Sequence, residues 1–300
     1  MNLNSRFSLS YNLIKYIMLG LSSLACFLPR SVSLYIGTIF ATILYGIYRL
    51  TPYRNHIFNN IKQTFPEIPD KYAHKMALIH VQRLTRSIVD FMRFPVLKKE
   101  FKKILTIEGI EHFEKTRQKG RGVILISSHF GCWELLGAIV TSLGCTLHVL
   151  VQKPSVPVFD YLFKRFRSIV GVKTHYNNSL LSIRPLIRAL KKGEVIGLLI
   201  DQHGESKEVI GEFFNKKVSM PTGPAFFSLK TGAPIVPVFI KRLENDHHIA
   251  TFYPEIEINK GCDFKKNLEN ITYKTYEILE KIIRDHPQDW LWIYNRWDKL

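Results

Sequence analysis

Apolar and polar positions alternate along this chain in three different rhythms. From Leu13 to Tyr48 only Lys15 and Arg30 carry charge, and the run "SVSLYIGTIFATILYGIY" (31–48) is 18 residues without a single charged side chain. That is close to the minimum for crossing a hydrocarbon core of roughly 30 Å. The preceding stretch, "IMLGLSSLACFLP" (17–29), is too short to span alone, and a second apolar stretch follows it where a cleaved signal would give way to a polar mature domain. The pattern predicts an N-terminal membrane-spanning helix, or a re-entrant helical hairpin turning at Pro29-Arg30. Two core helices of a soluble protein would give the same pattern. Arg49, Arg54 and Lys62 follow the run, and positive flanks of this kind favour the cytoplasmic side for what comes next.

The second rhythm is helical. Ala77, Leu78, Val81, Leu84, Ile88, Phe91 and Met92 recur at spacings of three and four, which predicts amphipathic connecting helices over residues 51–100. The third alternates strand and helix. "RGVILISS" (121–128), "TLHVLVQ" (146–152), "EVIGLLI" (194–200), "PIVPVFI" (234–240) and "HHIATFYPEIEI" (247–258) read as strands, with helices at 133–144, 155–169, 181–192 and 264–285. Such alternation predicts an α/β fold with a largely parallel sheet flanked by helices, over a catalytic domain at 101–300 that follows an anchor at 1–50. A chain of 300 residues can bury roughly 75% of its unfolded surface, enough for that domain.

Charge narrows the partners. The formal net charge of +17 favours nucleic acid, anionic lipid or acidic protein. No zinc-finger, helix-turn-helix or RNP-like pattern accompanies it, so no nucleic-acid partner is expected. Cys26, Cys132, Cys145 and Cys262 lie far apart without metal-ligand spacing, which predicts free thiols in a reducing compartment and no metal site.

Candidate chemistry begins at "SSHFGCWE" (127–134), where a strand should end and a helix begin, the place where ligands gather in open α/β sheets. On an ideal helix His129 and Glu134 would point about 140° apart. They can meet only if the histidine lies in the loop and the glutamate in the first turns. A carboxylate on one imidazole nitrogen would fix the tautomer and leave the other nitrogen to take a proton. The same spacing suits a capping histidine and a glutamate that complements the helix dipole. Ser127 or Ser128 with His129 could also suggest a hydrolase, but neighbouring residues on a strand face opposite ways and no Gly-x-Ser-x-Gly elbow is present.

Further motifs follow in order: "NNIKQTFPE" (59–67), "DQHGESK" (201–207), "PTGPA" (221–225) and the tail "HPQDWLWIYNRWDK" (286–299). With the anchor and the His-then-acid motif, they resemble over nearly the whole chain the lipid A biosynthesis lauroyl/myristoyl acyltransferase family. That family sits in the lysophospholipid acyltransferase-like superfamily and includes acyltransferases of mycobacterial phosphatidylinositol mannosides. The resemblance implies a glycerolipid acyltransferase-like fold at the cytoplasmic face of the bacterial inner membrane. It implies acyl transfer from acyl carrier protein, without a cofactor or a covalent acyl-enzyme, to a hydroxyl of a membrane lipid acceptor such as a lipid A precursor.

Carried over by position, His129 deprotonates the acceptor, Glu134 orients His129, and Arg167 or Arg165, in "DYLFKRFRSIVG" (160–171), stabilises the thioester oxyanion. A plain basic helix face would also explain these arginines. Asp201 and Gln202 would line the same cleft or cap a turn, and Trp290, Trp292 and Trp297 would form an interfacial belt or core. Where relatives often carry Tyr-Arg-Pro, this chain has Gln152 and Lys153, which leaves the head group contacted there open, as is a coenzyme A donor with another glycolipid or phospholipid acceptor. The remaining alternative is a basic membrane-anchored binding protein without catalysis.

Overall fold

The computed structural model describes residues 3–177, 180–203, 209–258 and 263–297, so Cys262 and the 204–207 part of "DQHGESK" lie outside the described residues. The chain opens with a helical hairpin, α1 (Leu3–Phe27) and α2 (Arg30–Tyr48), followed by α3 (His56–Thr64), α4 (Asp70–Met92) and α5 (Leu97–Ile104). Strands and helices then alternate: β1 (Leu105–Glu108), α6 (Ile110–Arg117), β2 (Val123–Ser127), α7 (Trp133–Ser142), β3 (Leu147–Val151), α8 (Pro157–Ile169) and β4 (Lys173–Tyr176). The remainder comprises α9 (Arg184–Lys191), β5 (Val195–Leu199), a hairpin of β6 (Ile210–Phe213) and β7 (Lys216–Ser219), α10 (Gly223–Thr231), β8 (Ile235–Arg242), β9 (His248–Phe252) and α11 (Phe264–Asp285).

Seven strands form one sheet in the order β1-β9-β8-β2-β5-β3-β4, and every pair is parallel except β8 with β9. Covered on both faces, β2 is buried throughout, which is why it reads as a continuous apolar run. Its period of two sorts the core into halves: Ile124 and Ile126 join the layer of α9, α10 and α11, whereas Val123 and Leu125 join that of α7 and α8.

The amphipathic 70–100 segment is α4 and α5 with a break at Phe94-Pro95, where proline cannot continue the hydrogen-bond ladder. One side of α4 carries α2 along its length. Arg86 donates to Thr38 at 2.7 Å and Gln82 to Thr42 at 2.9 Å, while Gly37 leaves room for Val89 and Thr85. The other side of α2 exposes Tyr35, Ile36, Ile39, Phe40, Ile43 and Ile47. This helix is the only one among the described residues long and apolar enough to cross a membrane.

A buried carboxylate fixes these layers to one another. Asp90 near the end of α4 takes a bidentate pair from Arg30 at 2.7 and 2.9 Å, a bond from Arg242 at 2.7 Å, and lies 3.0 Å from His248 Nε2. Burial would raise its pKa, but these donors outweigh that and hold it well below the usual carboxylate range. Removing one partner of such a cluster leaves buried charge uncompensated. Asp90→Ala is expected to cost about 3–5 kcal/mol, read by denaturant unfolding in detergent.

Burial also lowers the pKa of His80 and of His248 from 6.5 to about 4. Their unfolded counterparts take up protons near pH 6.5, so this contribution to stability is complete above that pH and is lost as pH falls toward 4. Unfolding free energies measured between pH 7.5 and 4.5 should fall on the acid side, toward a limit on the order of 3 kcal/mol per histidine that is reached only below about pH 4.

Candidate active site

Two neighbouring parallel strands deliver the central pair. Ser127 of β2 stands beside Leu199 of β5, and each chain runs two residues further to His129 and Asp201. The Ile200 amide donates to the Ser127 carbonyl at 3.0 Å, extending the ladder to the brink of the site. His129 Nδ1 is then 3.0 Å from Asp201 Oδ1, and the His129 backbone amide donates to Asp201 Oδ2 at 3.1 Å. Trp290 Nε1 also donates to Oδ2, at 3.0 Å. Burial works to raise the Asp201 carboxyl, yet His129 and these donors hold it below its ordinary range. With Nδ1 engaged by a carboxylate, the imidazole presents Nε2 as its free proton acceptor.

The loop after His129 cannot move far. Gly131 has a φ of +56°, and a Cβ there would come within 2.0 Å of the Ile240 carbonyl oxygen, so only glycine fits. Its amide donates to the Asp289 carbonyl at 2.8 Å, and Ser87 Oγ of α4 donates to its carbonyl at 3.2 Å. The edge of the Trp133 ring meets the imidazole, with centroids 5.1 Å apart at 67°.

Glu134 has a different partner from the expected one. It sits in the first turn of α7 and forms a two-point ion pair with Arg167 of α8, Nε to Oε2 at 2.9 Å and Nη2 to Oε1 at 2.6 Å. Both oxygens are therefore committed to the guanidinium, and Asp201 takes the position on the imidazole assigned above to Glu134. The reason is register: Asp201 leaves the strand adjacent to that of His129, whereas Glu134 starts a helix directed away from it. Burial works against the charge on Arg167, but Glu134 prevails and raises its pKa further. Arg167 Nη1 is left over from the bidentate pair. The guanidinium also lies 5.2 Å from the Phe163 ring centroid, one helical turn back.

Arg165 is exposed, two positions and about 200° around α8 from Arg167, so the two arginines serve different surfaces. Gln202 is half-buried beside Asp201 and makes no side-chain hydrogen bond among the described residues. Ser127 and Ser128 are buried, with hydroxyls that contact neither His129 nor any other polar atom, which removes the geometric basis for a serine hydrolase. Among the described residues, no group of three or more His, Cys, Asp or Glu side chains gathers as metal ligands would.

The tryptophan-rich tail is core and site together. Trp290 and Trp292 are buried and stacked at 4.7 Å, edge to face, and Asn60 of the "NNIKQTFPE" motif ties the tail down by donating to the Trp292 carbonyl at 2.8 Å. Sequence reasoning missed the Trp290 bond to Asp201. The available signal was chemical: a buried indole N–H needs an acceptor. It also missed a narrow recess of about 10 Å³ beside His129, whose floor holds His80, Arg83 and Asp289.

Comparisons with known proteins place the chain among acyltransferases. The chain is 23% identical over 197 residues to a lipid A biosynthesis acyltransferase of Haemophilus influenzae, a match covering 65% of this chain and 60% of the relative. It is 24% identical over 254 residues to the lipid A biosynthesis lauroyltransferase of Escherichia coli, covering 80% and 77% respectively. It is 26% identical over 203 residues to a phosphatidylinositol mannoside acyltransferase of Mycolicibacterium smegmatis, covering 64% and 62%. A solved structure, the 1-acyl-sn-glycerophosphate acyltransferase of Thermotoga maritima, aligns at a TM-score of 0.37 and 13% identity over 84% of this chain and 98% of that one. The model of the bacterial lipid A biosynthesis acyltransferases matches residues 3–299, and the chain belongs to that family of acyltransferases.

Proposed function

We propose that the protein moves a fatty acyl chain from acyl carrier protein to a hydroxyl of a lipid A precursor at the cytoplasmic face of the inner membrane. The observation that carries this is the free Nε2 of His129, aimed by Asp201 and Trp290, in a chain whose family transfers acyl groups to lipids. His129 takes the proton of the acceptor hydroxyl as its oxygen attacks the thioester carbonyl carbon. The oxyanion meets Arg167 Nη1, held in place by Glu134, and the C–S bond breaks as the intermediate collapses. The imidazolium then returns its proton to the departing thiolate. The mycobacterial relative keeps another glycolipid acceptor as the second reading. Lipid mass spectrometry of a host with and without the protein decides between the two by showing which lipid loses an acyl chain.

The packing of α2 supports an apolar platform lying in the near leaflet in preference to a span. Arg30 is held by Asp90 at one end, and at the other the Ile57 amide donates to the Tyr48 hydroxyl at 3.2 Å. Between these points the helix lies along α4, which bears charged side chains. Standing α2 across a bilayer would break all of these bonds, whereas laying its exposed face on lipid breaks none. The protein is expected to stay with membranes in 1 M salt, and single cysteines replacing Phe27 and Leu50 should both react with an impermeant reagent only from the cytoplasmic side. Labelling of either position from the far side would establish a span.

Substitutions separate the roles at the site. His129→Ala should abolish transfer with little change in melting temperature. Asp201→Asn should lower kcat by about 10²-fold or more, because it disturbs the tautomer of the base, and Glu134→Gln should cost at least about tenfold by loosening Arg167. Steady-state kinetics with saturating acceptor reads these losses, and full activity in the His129 variant would remove the general base.

The donor assignment rests on charge. A net charge of +17 and the exposed Arg165 suit the acidic surface of a carrier protein, an attraction screened over about 8 Å at physiological salt. Raising salt should increase the Michaelis constant for acyl carrier protein thioester far more than for a coenzyme A thioester, and Arg165→Glu should do the same. Equal salt sensitivity would assign the donor to coenzyme A.

A further inference from the structure

The recess beside His129 has a polar floor that the acyl-transfer chemistry above does not use. His80, Arg83, Leu84 and Ser87 fall on one face of α4 at intervals of three and four, and that face turns toward the His129 loop and the 288–291 segment. Arg83 is engaged through Nη1, which donates to Asp289 Oδ1 at 2.7 Å and to the Arg242 carbonyl at 2.8 Å. Two acceptors remain without a partner. One is Asp289 Oδ2; the other is His80 Nε2, on a side chain only 3% exposed. A hydrogen bond with the Trp290 backbone occupies the imidazole elsewhere, and burial keeps the ring neutral at physiological pH. A neutral ring that donates through one nitrogen accepts through the other.

Leaving such atoms dry is costly, on the order of 1–3 kcal/mol each. A volume of about 10 Å³ holds one water-sized group. Leu84 and Leu291 also line the recess and set apolar surface beside its polar groups. A group that fills it must donate hydrogen bonds and be small at its tip, and a lipid bearing such a group meets apolar surface there as well.

We infer that His80 and Asp289 form a subsite for the lipid acceptor, receiving a hydrogen-bond donor, a hydroxyl or amide N–H, that lies close to the hydroxyl deprotonated by His129. This rests on the general-base reading of His129 and adds a specificity determinant to it. Two anchored points, one reactive and one not, fix which hydroxyl of a polyhydroxylated lipid reaches Nε2 of His129.

The experiment compares His80→Leu with His80→Gln in the full-length protein in detergent. Leu keeps the volume and removes both the acceptor and the bond to the Trp290 backbone, whereas Gln restores an oxygen and an N–H. The acceptor is total membrane lipid from cells lacking the protein, and the donor is the thioester that the wild type uses. His80→Leu should raise the apparent Michaelis constant for lipid about tenfold, the size of one lost hydrogen bond, leaving that for the donor unchanged, and His80→Gln should recover most of the loss. Asp289→Asn, which turns the free acceptor into a donor, should shift the lipid constant in the same direction and serves if His80→Leu does not fold. Unchanged lipid kinetics in a folded variant, or an equal loss for lipid and donor, would make His80 a core histidine and overturn the subsite. The general base is judged separately by whether His129→Ala turns over at all, so either assignment can fail while the other stands.

Discussion

Asp90 is the point on which the architecture turns. A carboxylate with almost no contact with water is tolerable only because two guanidinium groups and an imidazole surround it, and they come from α2, β8 and β9. It sets the height of α4 against the sheet, and α4 in turn carries His80, Arg83 and Ser87 to the His129 loop. A second ring of ions continues the arrangement, with Asp246 receiving Arg86 at 2.8 Å and Arg242 at 3.2 Å. The hairpin, the connecting helix and the sheet therefore behave as one body. The apolar outer face of α2 stands at a fixed distance from the His129 imidazole.

Within that body the His129–Asp201 and Glu134–Arg167 pairs have separate supports. His129 and Asp201 are aligned by backbone register, because β2 and β5 are neighbours and the ladder extends past their ends. Glu134 and Arg167 are aligned by two helices, with the acidic residue in the first turn of α7 and the basic residue in the last turn of α8, each in the position its helix dipole favours. Under the proposed chemistry, strand-held groups suit a base whose tautomer must not waver, and helix-held groups suit a cation that meets a developing charge.

What could be read from the sequence follows the range of the interactions. Continuous apolar runs such as 121–128, 194–200 and 234–240 became strands because parallel central strands are buried on both sides and show it locally. The short edge strands β1 and β4, half exposed, left no such mark, and the 247–258 run was cut at Phe252 where pairing with β8 ends. His129 was legible as a loop histidine at a strand end. Its partner was not, because strand order is a tertiary fact: nothing near Asp201 announces that β5 lies beside β2. Motif proximity instead suggested Glu134, five residues away in sequence but on another element. The apolar segment 31–48 shows the same limit, since its length is visible in the sequence whereas the bonds from Arg86 and Gln82 that lay α2 along α4 are not.

Trp290 has a consequence for how the molecule comes into being. Its indole holds Asp201 across 89 residues of chain, and the Asp289 carbonyl holds the Gly131 amide across a still longer interval. Both belong to the segment made after α11, whereas the greasy hairpin is made first. A ribosome therefore releases the apolar end of this protein long before the Asp201 carboxylate has its final hydrogen bond. The apolar hairpin and the completed His129–Asp201–Trp290 contacts are separated in time by the order of synthesis, so under the proposed function a nascent chain reaches the bilayer before Asp201 has its last donor.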